Sequence, residues 1–432
     1  MLKRKSIVAL LTLLCSAFAA LPGAAYADKP TPAMAGAGPS ATVTSAMGPA
    51  VAIGGALRED NAAVYSRLIE LTGGRGARWV VLPTASGEPQ AAADGQVAAL
   101  IAHGAIAEAL PVAPELPGTD VAKAVRDPAL VAKVRAAQGV FFTGGDQARI
   151  VDSLCPGGVD SPLLAAIREL QQRGGVVAGT SAGAAIMSRT MFRDPASVIT
   201  LLKGPLRAGI DFGPGLGFVQ SDLFVDQHFL ARGRIGRMLP LMLSQGMKVG
   251  IGVEEDSAAV LIGDEIEVLG SGALLVDLRE AATDPSIGAF NVANVRLAKL
   301  GQGDRYNLRT HELRPARARF EGQRIDPNSP DFKPYYTDAP FALDVLAPGV
   351  VVGRMVRVVD GSATEARGLA FDASPDAPAP QDQGFEFRFI RRADTRGWYD
   401  PAASADDYTI ANVRLDVVPV RVAQPLFGPW RR

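Results

Sequence analysis

A short glycine-rich sequence holds the serine that is best placed for chemistry. Residues 179–183 read Gly-Thr-Ser-Ala-Gly with Ser181 at the centre, after the apolar run 175–178 and before the small apolar residues 184–187. A G-x-S-x-G sequence between a strand and a helix is typical of a nucleophile elbow, whose strained turn exposes the serine. The N–H groups that open the helix can stabilise an oxyanion. The alternative is a glycine-rich turn or a phosphate loop without a covalent role.

A serine nucleophile needs a base, and the chain contains three histidines. His103 stands at the end of an amphipathic helical pattern and His311 in a polar connection, where capping or structural roles are the simpler interpretations. His228 lies in the sequence Asp-Gln-His-Phe, directly before a segment that carries several arginines. Because polar neighbours can orient an imidazole, we predict that His228 is the base.

The base in turn needs a carboxylate, and three acids follow the apolar run 249–253. They are Glu254, Glu255 and Asp256. Side chains alternate along a strand, so Glu254 and Glu255 point to opposite faces and only one of them can reach the site. The sequence does not choose between these two glutamates. The whole cluster could also be a solvated acidic turn.

A second glycine-rich turn, at residues 144–147, reads Gly-Gly-Asp-Gln and follows an apolar run. Glycine lets a backbone N–H approach a ligand closely, which suits the second donor of an oxyanion hole. The alternative is a dinucleotide-binding loop. That alternative is weak because the G-x-G-x-x-G spacing is not met and no suitably placed acid follows.

Short apolar runs alternate with helical patterns from about residue 49. The predicted elements are strands at 50–53, 79–82, 139–142 and 176–178, and helices at 91–101 and 162–172. This alternation predicts an α/β fold with a mostly parallel sheet flanked by helices. After Pro240, short strands joined by tight turns predict that the sheet ends in an antiparallel portion.

Beyond about residue 315 the chain becomes rich in proline and in strand-like alternation, for example at 385–389 and 413–417. Residues 350–359 are predicted as a strand that ends in a turn. We therefore predict a catalytic α/β domain over 49–315 and a separate, small β-rich domain over 316–432. Substrate adhesion and structural capping are both open as roles of the second domain.

The first residues have the layout of a secretory signal peptide. A basic start is followed by an apolar run and by Ala-Tyr-Ala at residues 25–27, so we predict a signal peptide over 1–27, cleavage after Ala27 and a flexible leader over 28–48. Lipid attachment at Cys15 is the alternative, although the preceding residues fit it poorly. No later run is long enough to span a membrane. We expect a secreted or periplasmic protein, in which Cys155 is the one remaining cysteine.

The overall charge excludes one class of partner. The formal net charge is −1 over 432 residues, which provides no basic field for nucleic acid. Chemistry by a serine, a base and an acid requires no cofactor and no metal.

Four motifs in this order resemble the cyanophycinases, serine peptidases related to peptidase E. They are the Gly-Gly-Asp-Gln turn at 144–147, the serine elbow at 179–184, the His228 segment with its arginines, and the acidic strand end at 250–255. The resemblance covers about residues 49–313 and not the β-rich part. It implies a flavodoxin-like or glutamine-amidotransferase-like fold, homodimers, and cleavage of cyanophycin, a polyaspartate whose side chains carry arginine.

The resemblance also implies roles for particular residues. Ser181 would be the nucleophile, His228 the base and Glu255 its orienting acid, and the N–H groups of Gly145 and Ala182 would form the oxyanion hole. The substrate site would be lined by Gln147, Asp226, Gln227, Arg232, Arg234 and Arg237.

The implied reaction is hydrolysis of the polymer to β-aspartyl-arginine dipeptides through an acyl-enzyme. Each repeating unit carries a carboxylate and a guanidinium, and the candidate site offers arginines and acids to pair with them. Two alternatives are open. One is a related exopeptidase or dipeptidase that acts on aspartyl peptides, and the other is a non-catalytic binding protein on the same fold.

Overall fold

The computed structural model describes residues 47–219, 222–317, 323–374, 376–400, 407–423 and 429. The predicted signal peptide, its cleavage site at Ala27, Cys15 and the leader up to residue 46 lie outside the described residues. The described residues belong to one compact unit. None of the helices described is long and apolar enough to cross a membrane.

The first sheet is the frame of the amino-terminal half. Its order is β15-β14-β11-β10-β1-β5-β4-β2-β3, with parallel pairing from β1 to β3 and antiparallel pairing from β10 to β15. The strands are β1 Ala50–Ile53, β2 Arg78–Leu82, β3 Ile106–Ala109, β4 Gly139–Phe142, β5 Val176–Thr180, β10 Ala258–Ile262, β11 Glu265–Leu269, β14 Arg305–Asn307 and β15 Leu313–Arg314. This arrangement confirms the predicted α/β fold with an antiparallel end.

Helices cover both faces of this sheet and bury its apolar residues in two clusters. The helices with described bounds are α1 Ala62–Leu71, α2 Pro89–Ala102, α3 Val121–Ala124, α4 Pro128–Ala136, α5 Gln147–Leu154, α6 Pro162–Gln172, α7 Ala182–Ala185, α8 Val198–Lys203, α9 Ile235–Ser244 and α10 Val350–Val359, with a 3₁₀ turn at Pro156–Gly158. Side-chain caps fix where several of them begin. Ser161 accepts the Leu164 N–H at the start of α6, and Asp146 accepts the Ala148 N–H at the start of α5.

A second sheet combines strands from both sides of residue 315. Its order is β16-β19-β20-β13-β12-β9-β8, with β18 pairing β20 and β17 pairing β18. The strands are β8 Leu223–Asp226, β9 Val249–Val253, β12 Ala273–Asp277, β13 Val292–Leu300, β16 Gln323–Ile325, β17 Glu365–Ala370, β18 Gln383–Ile390, β19 Arg396–Tyr399 and β20 Tyr408–Arg421. A small pair, β6 Thr190–Phe192 and β7 Phe212–Pro214, lies apart from both sheets.

The region after residue 315 is β-rich, as the alternation of its apolar residues predicts. Its strands extend the sheet that carries β8 and β9, because β20 pairs with most of the length of β13. The buried faces of Phe387 on β18 and Leu415 on β20 share one apolar cluster with Met238 of α9. The domain boundary at 315 stays a prediction, and the core extends across it.

The prediction of a strand over 350–359 is wrong, since these residues form α10. Val351, Met355, Val358 and Val359 are buried at a spacing of four, seven and eight residues, which is the pattern of a helix face. They pack against the second sheet. Packing of this face outweighs the strand preference of the valines.

Candidate active site

Ser181 occupies a strained turn between β5 and α7. Its φ is 53° and its ψ is −109°, and its N–H donates to the Ile53 carbonyl at 3.0 Å. The flanking glycines allow this turn to close. A Cβ on Gly179 would lie 2.4 Å from the Gly183 carbonyl oxygen, and one on Gly183 would lie 2.4 Å from that of Phe142. The local sequence therefore forms the predicted elbow.

His228 follows β8 and faces the serine. Ser181 Oγ lies 2.9 Å from His228 Nε2, and His228 Nδ1 lies 2.5 Å from Glu255 Oε1. The other two histidines lie elsewhere. His103 stacks on Tyr65, and His311 contacts the Tyr306 hydroxyl. The structure thus brings together the serine, histidine and glutamate that the motifs indicate.

The two glutamates after β9 have different partners. Glu255 contacts the imidazole, whereas Glu254 Oε2 accepts the N–H groups of Leu230 and Ala231 at 2.5 and 3.1 Å. Burial raises the pKa of Glu254. The sequence leaves open which of the two glutamates lies at the imidazole. In the structure Glu255 contacts the imidazole, and Glu254 binds the loop that follows His228.

Burial of the His228 imidazole lowers its pKa. Desolvation lowers the pKa of His228, the hydrogen bond to Glu255 opposes that effect, and the nearby Arg232 and Arg234 lower the pKa further. The ring is therefore neutral at neutral pH, which is the form that accepts a proton from a serine hydroxyl.

Two backbone N–H groups border the serine. The Gly144-Gly145 turn lies beside it, since a Cβ on Gly144 would be 3.2 Å from Ser181 Cβ. Gly145 has a φ of 138°, and a Cβ there would lie 2.0 Å from the Ala85 carbonyl oxygen, so this position requires glycine. The N–H groups of Gly145 and Ala182 make no hydrogen bond to the described residues. They are therefore available as donors to a ligand.

Asp226 and Arg237, predicted as substrate contacts, form a buried ion pair. Arg237 Nε and Nη2 donate to the two carboxylate oxygens of Asp226 at 2.8 and 2.5 Å, and the guanidinium lies over the Phe192 ring. Arg234 Nη1 lies 3.5 Å from the same carboxylate. In this structure the pair ties the end of β8 to α9, and contact of either side chain with substrate stays a prediction.

The remaining predicted substrate residues differ in exposure. Gln147 Nε2 donates to the carbonyls of Phe192 and Arg193, and Arg232 is exposed. Arg234 donates to the Gln227 carbonyl at 2.7 Å, and burial lowers its pKa to about 10. The side-chain oxygen of Gln227 is buried and has no hydrogen-bond partner in the part of the chain that the structure describes. A buried oxygen of this kind is suited to accept a donor from a ligand.

The turn after β1 supports the histidine, a role that sequence reasoning did not assign. The His228 N–H donates to the Gly54 carbonyl at 2.7 Å, and a Cβ on Gly55 would lie 2.2 Å from His228 Cε1. The Gly55 carbonyl accepts the Asp256 N–H, and Asn61 Nδ2 donates to the Asp256 carboxylate at 2.8 Å. The paired glycines after the first strand were the signal, because they allow the ring to lie against the backbone.

The geometry suits nucleophilic catalysis. A hydroxyl, a neutral imidazole and a carboxylate lie in sequence, with backbone donors at the start of a helix. Among the residues described, no group of three or more His, Cys, Asp or Glu side chains is arranged to hold a metal ion.

Residues 50–269 match the model of peptidase family S51. A cyanophycinase of Geminocystis herdmanii is 36% identical over 262 residues, which span 58% of this chain and 89% of that protein. The chain belongs to peptidase family S51. It is therefore a serine-type peptidase, and the predicted resemblance to the cyanophycinases is confirmed.

Two further similarities complete the comparison. A cyanophycinase of Trichormus variabilis is 39% identical over 194 residues, which span 43% of this chain and 62% of that protein. A solved peptidase from an acI-B1 actinobacterium is 21% identical, with a TM-score of 0.45, over 61% of this chain and 98% of that one. The S51 match ends at residue 269, so most of the second sheet and α10 lie beyond it.

Proposed function

We propose that this S51 peptidase is an extracellular cyanophycinase that releases β-aspartyl-arginine dipeptides from the polymer. The observation that carries the proposal is the continuous contact from Ser181 through His228 to Glu255, with distances of 2.9 and 2.5 Å. The names of the two cyanophycinase relatives support the substrate.

In the proposed mechanism Ser181 Oγ attacks an aspartyl backbone carbonyl while His228 Nε2 takes the hydroxyl proton. The His228 Nδ1–H donates to the Glu255 carboxylate, which stabilises the imidazolium. The N–H groups of Gly145 and Ala182 donate to the oxyanion of the tetrahedral intermediate. Collapse breaks the C–N bond, and the imidazolium protonates the leaving amine.

The acyl-enzyme that remains is an ester of Ser181. Water attacks this ester after giving a proton to His228, and the returning proton restores the serine hydroxyl as the carboxylate product leaves. The exposed Arg232 and the buried Gln227 oxygen offer a cation and an acceptor near this reaction, which matches a substrate that has both carboxylate and guanidinium groups.

Dipeptide release from insoluble cyanophycin tests substrate and nucleophile together. Purified mature protein is expected to release β-aspartyl-arginine, detected by mass spectrometry, and the Ser181→Ala variant is expected to lose several orders of magnitude of rate. Equal release by both proteins would reject Ser181 as the nucleophile. Cleavage of aspartyl dipeptides without release from the polymer would instead favour the dipeptidase alternative.

The extracellular location is proposed from residues 1–27 alone. In the native host, the processed protein is expected outside the inner membrane, with its amino terminus after Ala27. An unprocessed chain in the cytoplasm would reject this part of the proposal.

A further inference from the structure

The segment before α10 packs on the catalytic loop, although it lies outside the S51 match. Gly349 donates its N–H to the Leu230 carbonyl at 3.4 Å. A Cβ on Gly233 would lie 2.3 Å from the Leu346 carbonyl oxygen, so the two backbones touch. Leu230 follows His228 by two residues. Residues of the carboxy-terminal region thus pack against the loop that follows His228.

A cavity of about 520 Å³ opens between these two regions. Leu230, Ala231 and Glu254 line one side, and Gly349, Arg354 and Arg357 line the other. Glu254 is adjacent in sequence to Glu255, which contacts the His228 imidazole. Because the two glutamates have different partners, the cavity lies beyond the loop that follows His228, on the side where α10 begins.

The α10 side of this cavity carries two arginines, of which Arg354 forms no ion pair within 4 Å with the described residues. Arg357 is paired with Asp338 and lies over the Tyr336 ring, whereas Arg354 donates to the Pro340 carbonyl and has no carboxylate within 4 Å among the described residues. Arg354 Nε is buried without a hydrogen-bond partner there. Burial, and to a smaller extent the charge of Arg357, lowers the pKa of Arg354. An anion bound in the cavity would stabilise the charged guanidinium and offset the repulsion from Arg357.

Two other features favour an anion at the same place. The first turn of α10 borders the cavity, and the positive end of a helix dipole attracts negative charge. The one acidic group among the residues that line the cavity, Glu254, is already engaged by the N–H groups of Leu230 and Ala231.

We propose that this cavity is a second substrate subsite, in which Arg354 binds a free carboxylate of the arginine-aspartate polymer away from the cleaved bond. The inference rests on the proposed function and adds to it a binding role for the region beyond the family match. A carboxylate pairs with a guanidinium through two parallel hydrogen bonds, which gives position as well as affinity. A polymer that occupies both places is held across the active site.

The test compares Arg354→Gln with a matched surface variant, Arg421→Gln, in the full mature chain. Arg421 is 87% exposed in its side chain and pairs with Asp382, so it controls for the loss of one arginine. Arg354→Gln is expected to raise KM for soluble cyanophycin about tenfold, the effect of losing one charge-assisted hydrogen bond, with kcat unchanged. Arg354→Lys is expected to recover part of the loss.

A fragment of two repeating units separates a subsite from a general defect, because a short substrate extends less far from the cleaved bond than the polymer does. Its hydrolysis is expected to be the same in the parent protein and in Arg354→Gln, and thermal unfolding should occur at the same temperature. An unchanged KM for the polymer, or equal losses on polymer and fragment, would overturn the subsite.

A binding assay separates failure of the subsite from failure of the proposed function. If the parent protein releases no dipeptide, the cyanophycin assignment fails by itself. Binding of soluble polyaspartate to the Ser181→Ala protein still reports on the cavity. Weaker binding after Arg354→Gln supports an anion subsite, and equal binding rejects it.

Discussion

Replacing Gly55 by alanine would place a methyl group where the His228 imidazole lies. The added Cβ would be 2.2 Å from His228 Cε1 and 2.3 Å from Nε2. Non-bonded carbon atoms ordinarily stay about 3.5–4.0 Å apart, so the ring must move by more than about 1 Å. A displacement of about 1 Å in a catalytic group costs about 10²-fold in rate. We therefore expect kcat/KM for cyanophycin to fall by about 10²-fold in Gly55→Ala.

Gly74 provides a control with the same backbone strain and no clash. Its φ is 101°, against 104° for Gly55, and a Cβ there would meet nothing within 4 Å. Backbone strain should cost about 1–3 kcal/mol of stability in each variant, because alanine rarely adopts this conformation, and the clash with His228 adds to that cost in Gly55→Ala alone. Only Gly55→Ala should lose activity when both proteins are assayed folded. Equal activity of the two variants would refute the inference that Gly55 positions the imidazole.

Three other predictions follow from the same contacts. Because burial lowers the pKa of His228 and the base must be neutral, the acid limb of kcat/KM should have its midpoint below 6.5, and a midpoint above that value would contradict the burial. Glu255→Gln should lower kcat by about 10³–10⁴-fold, whereas Glu254→Gln should cost about tenfold or less; the reverse order would show that the wrong glutamate is assigned. Arg237→Met should destabilise the protein by up to about 3–5 kcal/mol in urea unfolding, because it removes the bidentate partner of the buried Asp226 carboxylate and leaves only Arg234 at 3.5 Å, and a change under about 1 kcal/mol would exclude a structural ion pair.

Local sequence patterns were sufficient to predict several of the elements that position the catalytic residues. The bounds of β1 and α6 agree with the predicted strand at 50–53 and helix at 162–172, because a continuous apolar run and an amphipathic spacing with a serine cap are local signals. The serine elbow could also be predicted, since Gly-x-Ser-x-Gly between an apolar run and a helix is a local signal, although the close approach of Gly183 is to the distant Phe142.

The partners of the charged residues around the site depend on long-range contacts, which the sequence does not show. Alternation along β9 predicts that Glu254 and Glu255 diverge, but only the position of His228 shows which one meets the ring. The buried pair of Asp226 and Arg237 joins a strand to a helix that the sequence analysis did not predict. In a sequence, charged residues near a catalytic motif are readily interpreted as substrate contacts. Their burial in the structure shows that Asp226 and Arg237 also connect two elements of the fold.

The α10 helix was missed although its periodicity was present. Its valines favour a strand, and the helical spacing of 351, 355, 358 and 359 becomes decisive only when the second sheet offers a surface to cover. The contact between the segment before this helix and the catalytic loop could not be predicted, because it joins residues more than a hundred positions apart.

Covalent labelling tests directly whether Ser181 is the nucleophile and whether cyanophycin occupies the same site. The parent protein is treated with a serine-directed phosphonate, with and without soluble cyanophycin, and the adduct is located by peptide mass spectrometry. We expect one adduct, on the peptide that contains Ser181, and slower labelling when cyanophycin is present. Absence of an adduct on Ser181 in folded protein, or labelling that cyanophycin does not slow, would contradict it.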